Sequence, residues 1–127
     1  MEAAPAIETY SLGDATVVQP RGELDIASAP TLRDELATVI TAEPRPRVVC
    51  CDLTEVTFMD STALSALVFA HETASMGQQE FCVAGARSSV HRVIELTQLD
   101  QVISCYDSMD AAREAIRGEG SGSQDAS

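Results

Sequence analysis

The chain contains no lysine and no tryptophan, and its permanently cationic side chains are eight arginines. Without an ε-amino group, any chemistry built on a Schiff base or a P-loop lysine is excluded. Positive charge is scarce overall: 20 Asp and Glu residues against those eight arginines leave a net charge of −12 and a pI near 4.3. Nucleic-acid binders draw their affinity from clustered Lys and Arg on phosphates, so direct nucleic-acid binding is not expected, and a partner surface should be basic or neutral. Long apolar runs are missing as well. The longest, Ala63 to Ala70, is interrupted by Ser65 and falls far short of the roughly 20 residues a membrane helix needs. Met1 to Pro5 shows no basic region leading into an apolar block, so the reading is a cytoplasmic protein without membrane association. The four cysteines, Cys50, Cys51, Cys82 and Cys105, lack metal-ligand spacing, and His71 and His91 supply no motif. No metal and no cofactor are expected. The thiols read as small buried hydrophobes in a reducing compartment, with the adjacent Cys50 and Cys51 on opposite faces of a strand.

What is present fits one domain, since 127 residues can build a single core and not two ordinary ones. Ile7 to Leu12 and Ala15 to Gln19 read as strands joined by Gly13-Asp14, a hairpin signal. Ala27 to Ile40 follows as a helix with Leu32, Leu36, Val39 and Ile40 inward, Pro30 in its first turn and Ser28 as its cap. Arg47 to Leu53 is a buried strand. A helix from Ser61 to about Ser75 carries Leu64, Leu67, Val68 and His71 on its inward face. Glu80 to Ala84 is a strand, Ser88 caps a helix through Leu96, Gln101 to Cys105 is a last strand, and a final helix runs from Ser108 to about Ile116. The order β-β-α-β-α-β-α-β-α implies an α/β fold, with a mixed sheet of four to five strands, an antiparallel hairpin first and parallel crossovers after it. Residues 118–127 have no apolar side chain larger than alanine and read as a disordered polar tail.

The segment Phe58-Met59-Asp60-Ser61-Thr62-Ala63-Leu64 is the most informative stretch. It places a hydroxyl where an apolar strand gives way to a helix, with Asp60 as N-cap and Ser61 near the unpaired N–H groups and the positive end of the helix dipole. Taken alone, the pair need do no more than start a helix. Gly22-Glu23-Leu24-Asp25 is a second such step, and a Gly-Glu-Leu-Asp turn by itself can be a solvated loop with Leu24 tucked inward. Both steps lie where a strand meets a helix, so a common rim is geometrically plausible.

Together, Gly22-Glu23-Leu24-Asp25 and Asp60-Ser61-Thr62-Ala63-Leu64, in that order and about 35 residues apart, resemble the STAS family of bacterial anti-sigma factor antagonists. The resemblance covers residues 6–117. It implies the STAS-like fold, about four helices packed mainly on one side of the sheet, and no enzymatic activity. It further implies that Ser61 is phosphorylated by a partner kinase that is also the anti-sigma factor, and that a serine phosphatase reverses this. Gly22, Glu23, Asp25, Asp60, Ser61 and Thr62 are then the partner-binding residues. Binding in the unphosphorylated state and release on phosphorylation would regulate sigma-factor-dependent transcription. Ala63 stands where many relatives have glycine, a change that suits a helix interior better by about 1 kcal/mol.

Three other readings compete. A serine hydrolase needs a base, but Ser61 lacks the G-x-S-x-G elbow, and His71, ten residues along the same helix, lies roughly 15 Å away. A phosphoacceptor receiver domain would use Asp52 at a strand end together with a lysine that this chain lacks, so Asp52 is read as a residue that caps or turns the strand end. A STAS module in a stress-signalling or transporter-associated assembly, without a sigma-factor role, is the remaining alternative. Arg87 and Arg92 read as either a solvated helix face or partner contacts.

Overall fold

The computed structural model describes residues 7–125. Its five-stranded sheet is assembled from β1 (Ile7–Leu12), β2 (Ala15–Pro20), β4 (Val48–Asp52), β6 (Glu80–Ala84) and β7 (Ser104–Tyr106), in the spatial order β1-β2-β4-β6-β7. β1 and β2 are antiparallel, with Leu12 opposite Ala15, and every later pairing is parallel. The two-residue hairpin turns on Gly13, whose φ of +66° at the first turn position is the conformation glycine adopts without steric cost. The expected mixed sheet is therefore present. A further pair of strands, β3 (Gly22–Leu24) and β5 (Val56–Met59), forms a separate two-stranded parallel ladder that the sequence reading omitted.

Four helices accompany the strands: α1 (Ala29–Ile40), α2 (Ser61–Met76), α3 (Ser88–Thr97) and α4 (Met109–Asp125). Because successive strand residues point to opposite faces, the sheet has two distinct cores. Val18, Val49, Cys51 and Val83 pack with Leu32 and Leu36 of α1, Leu67 of α2 and Ile94 of α3. On the opposite face Val17, Cys50 and Cys82 pack with Met109, Ala112 and Ile116 of α4. Three helices thus cover one face and one covers the other, as expected, and Cys50 and Cys51 divide between the faces.

Several local expectations are corrected. Ser28 precedes α1 but makes no side-chain cap; its hydroxyl turns back to the Glu23 carbonyl at 2.7 Å. Ser88 likewise does not cap α3, because Arg87 occupies the cap position and Ser88 is the first helical residue. In α2 the fully buried stripe is Ala63, Ala66, Leu67, Ala70 and Ala74, while Leu64 and Val68 lie on its flank and are partly buried. The alanines keep the helical period and let the helix approach its neighbours closely, so the larger side chains are displaced sideways. Among the described residues no helix is long and apolar enough to cross a membrane.

Helix α4 continues to Asp125, past the stop expected near Ile116, since no proline between them removes a donor or clashes with the preceding turn. The disorder expected of residues 118–127 concerns side chains and an end that lie partly outside the described residues. The last buried side chain of α4 that is described is Ile116. Deleting 118–127 should therefore leave the melting temperature unchanged in a calorimetric scan, and a drop of several degrees would show that this segment packs.

Candidate functional site

The omitted ladder builds the site. β3 and β5 run parallel with Glu23 opposite Phe58 and Leu24 opposite Met59. Backbone bonds close both ends: the Gly22 amide donates to the Glu55 carbonyl at 3.0 Å, and the Asp60 amide donates to the Leu24 carbonyl at 3.1 Å. Gly22 has a φ of +83°, a left-handed conformation that a β-carbon would strain, and this kink lets the chain leave β2 and enter β3. Leu24 and Met59 are buried and anchor the ladder to the main core. Two motifs distant in sequence thereby share one rim.

Within the first motif, Asp25 organises the entry to α1. Its Oδ1 accepts from the Ala27 amide at 3.0 Å and the Ser28 amide at 3.2 Å, while its own amide donates to Ser28 Oγ at 2.9 Å. Asp25 thus orders the turn that leads into α1. Glu23 is exposed on the rim.

Within the second motif, Asp60 is the N-cap of α2, as expected. Its Oδ1 accepts from the Thr62 amide at 2.9 Å, the Ala63 amide at 3.3 Å and the Thr62 hydroxyl at 2.5 Å. The Thr62 hydroxyl, followed by the helix N–H groups, holds the Asp60 carboxyl below the usual carboxylate range. Ser61 is exposed at the first helical position, and among the described residues its hydroxyl makes no hydrogen bond. The two neighbouring hydroxyls therefore differ: Thr62 is half-buried and committed to Asp60, and Ser61 is free.

Two apolar side chains at this rim were not anticipated. Ile26 is 75 % exposed and Phe58 is 45 % exposed. Ile26 lines a groove of about 340 Å³ between α1 and α2, together with Ala29, Pro30, Arg33, Thr62 and Ser65. A lone isoleucine among the polar residues after Gly22-Glu23-Leu24-Asp25, outside any helical stripe, was the available signal. Val56-Thr57-Phe58-Met59, rich in β-branched and aromatic residues, likewise marked a strand with one outward phenylalanine.

Other candidates have partners of their own or lie at the surface. His91 pairs with Glu95 at 3.2 Å along α3, and His71 is half-buried on α2. Asp52 is buried with both oxygens engaged, Oδ1 by the Thr54 amide and hydroxyl and Oδ2 by Gln19 Nε2 at 2.8 Å, and so turns the end of β4 as expected. Arg87 donates to the Thr54 carbonyl at 3.3 Å and helps tie α3 to the loop before β5, whereas Arg92 is exposed.

The family model for the STAS domain matches residues 6–112, and the chain belongs to that family. It is similar to an anti-sigma-B factor antagonist of Listeria monocytogenes, 34 % identical over 82 residues that make up 65 % of this chain and 70 % of that one. It is also similar to the anti-sigma-F factor antagonist RsfB of Mycobacterium tuberculosis, 28 % identical over 120 residues, 91 % of this chain and 95 % of the other. Among solved structures, an anti-sigma factor antagonist from Mycobacterium paratuberculosis superimposes with a TM-score of 0.80 at 29 % identity, covering 90 % of this chain and 95 % of that one.

The Asp60 cap carries a pH signature. Its folded-state pKa is depressed, so its contribution to stability is complete above the unfolded carboxylate pKa of about 4 and is lost as pH falls through the lower folded value. Wild type should accordingly exceed Asp60→Asn in melting temperature by a constant margin above about pH 5, and the margin should shrink below about pH 4. A margin independent of pH would show that the carboxylate charge contributes nothing.

Proposed function

We propose that this chain is an anti-sigma factor antagonist that binds an anti-sigma factor while Ser61 is unmodified and releases it when Ser61 is phosphorylated, thereby regulating sigma-factor-dependent transcription. The observation that carries this reading is the free, exposed Ser61 hydroxyl between two residues, Asp60 and Thr62, whose side chains are bonded to each other. Nothing must be broken to present it to a kinase. The relatives named as antagonists support the partner class. The anti-sigma factor is itself the serine kinase in this reading, and a serine phosphatase restores the binding state in the cytoplasm.

The contact surface is the rim formed by Gly22, Glu23, Asp25, Asp60, Ser61 and Thr62, with Ile26 and Phe58 as its apolar anchors. A basic or neutral partner complements a chain of net charge −12. Phosphorylation adds roughly −1.5 to −2 charges and three acceptor oxygens at the start of α2. An anion at an exposed helix N-terminus gains about 0.3–1 kcal/mol, small against the 5–15 kcal/mol of a typical domain. The fold survives in this account. The phosphate's bulk and charge beside Glu23 and Asp60 exclude the partner instead.

Incubation with the kinase and Mg-ATP should place one phosphate on Ser61 by peptide mass spectrometry, with Thr62 unmodified. Ser61→Ala should bind as wild type does and become insensitive to ATP. Ser61→Asp, whose single carboxylate imitates a phosphate incompletely, should weaken binding in part and keep unfolding stability within about 1 kcal/mol. Calorimetric titrations and urea melts on the same preparations check both. A Ser61→Asp chain that unfolds, or phosphorylated protein that binds as tightly as before, would contradict the exclusion mechanism.

Ile26→Ala should weaken binding by at least roughly fivefold, the scale of an anchor truncation of about 1 kcal/mol, and leave stability unchanged because the side chain is mostly in water. An unchanged affinity would remove the α1–α2 groove from the interface.

A further inference from the structure

The face of the sheet away from the rim gathers three sulfur atoms that sequence spacing does not bring together. Cys50 of β4 and Cys82 of β6 are directly opposite in the parallel register and point to the same face, both as free thiols. Met109, the first residue of α4, closes over them with its Sδ 3.9 Å from Cys50 Sγ. All three lie within one apolar cluster with Val17, Ala84 and Ala112.

We propose that Cys50, Cys82 and Met109 form a binding site for a soft monovalent metal ion, of which Cu(I) is the natural representative. Three sulfurs bound at about 2.3 Å in a trigonal plane stand about 4 Å from one another, close to the Cys50–Met109 separation already present. Two thiolates and a thioether select by softness for Cu(I). Structural zinc is excluded by number, since it is almost always four-coordinate and, among the described residues, no three His, Cys, Asp or Glu side chains gather to hold an ion.

Uptake replaces the two thiol protons with one ion, and both protons leave to solvent. The resulting complex carries one net negative charge. It sits beside the N-terminus of α4, where the positive end of the helix dipole favours an anion.

The three side chains are almost wholly buried, so the ion enters when α4 lifts. Among the described residues this helix buries Met109, Ala112 and Ile116 against the sheet, and an element with few buried apolar side chains is one that local opening can release. A bound ion would in turn pin α4 in place.

The test uses the full reduced chain under anaerobic conditions, titrated with Cu(I) against a bicinchoninate competitor, with X-ray absorption on the loaded protein. Wild type should withhold one equivalent of Cu(I), show a shell of three sulfurs and no nitrogen or oxygen, and melt at a higher temperature when loaded. Met109→Leu conserves volume and should fold normally while weakening Cu(I) binding at least roughly tenfold, a scale that even outer-shell changes reach. Cys50→Ala and Cys82→Ala should abolish binding; Cys51→Ala and Cys105→Ala, which alter the other face, should not. Circular dichroism checks that each variant is folded. The proposal is overturned if no Cu(I) is withheld, if the folded Met109→Leu chain binds as wild type does, if the shell contains nitrogen or oxygen, or if titration only oxidises Cys50 and Cys82 to a disulfide.

Discussion

The hydrogen bond from the Asp60 amide to the Leu24 carbonyl is the constraint on which the rim depends. It closes a ladder of only a few residues, yet that ladder fixes where α1 and α2 begin, because α2 follows β5 after the single residue Asp60 and α1 follows β3 after the short turn 25–28. So short a pair of strands has no stability of its own. Burial of Leu24 and Met59 in the core of the main sheet supplies it. The rim is thus an outgrowth of the core, held by backbone geometry, and its exposed side chains are free for other work.

The division of labour among those side chains follows from the same geometry. Asp25 and Asp60 each accept from amides at the start of a helix, so two of the acidic residues are largely structural. Ser28 and Thr62 have their hydroxyls bonded locally. Glu23, Ile26, Phe58 and Ser61 are left facing solvent. A modification at Ser61 then alters a surface without withdrawing a group from the fold, which is why the proposed switch acts by exclusion and not by unfolding.

The main sheet and four helices were legible because their apolar residues recur with clear periods, as in Leu32-Leu36-Val39-Ile40 and Met109-Ala112-Ile116. β3 and β5 were not, because three or four residues are too few to display alternation, and β5 exposes two adjacent side chains, Thr57 and Phe58. Asp60 and Ser61 were placed correctly from capping chemistry. Ser28 holds the N-cap position, but its side chain does not cap: its hydroxyl is drawn back to the Glu23 carbonyl, and Pro30 offers no amide for it to accept from. The gathering of Cys50, Cys82 and Met109 depends on the β4–β6 register and on α4 folding back, neither of which local spacing encodes.

The central claim is that the β3–β5 ladder is a rigid scaffold indifferent to the state of Ser61. Native-state amide exchange of the Asp60 N–H, measured before and after Ser61 is phosphorylated, tests it most directly. The account predicts slow exchange in both states, at rates close to those of the core strands. Fast exchange in the unmodified protein, or protection lost on phosphorylation, would contradict it and show that the switch works by opening the ladder.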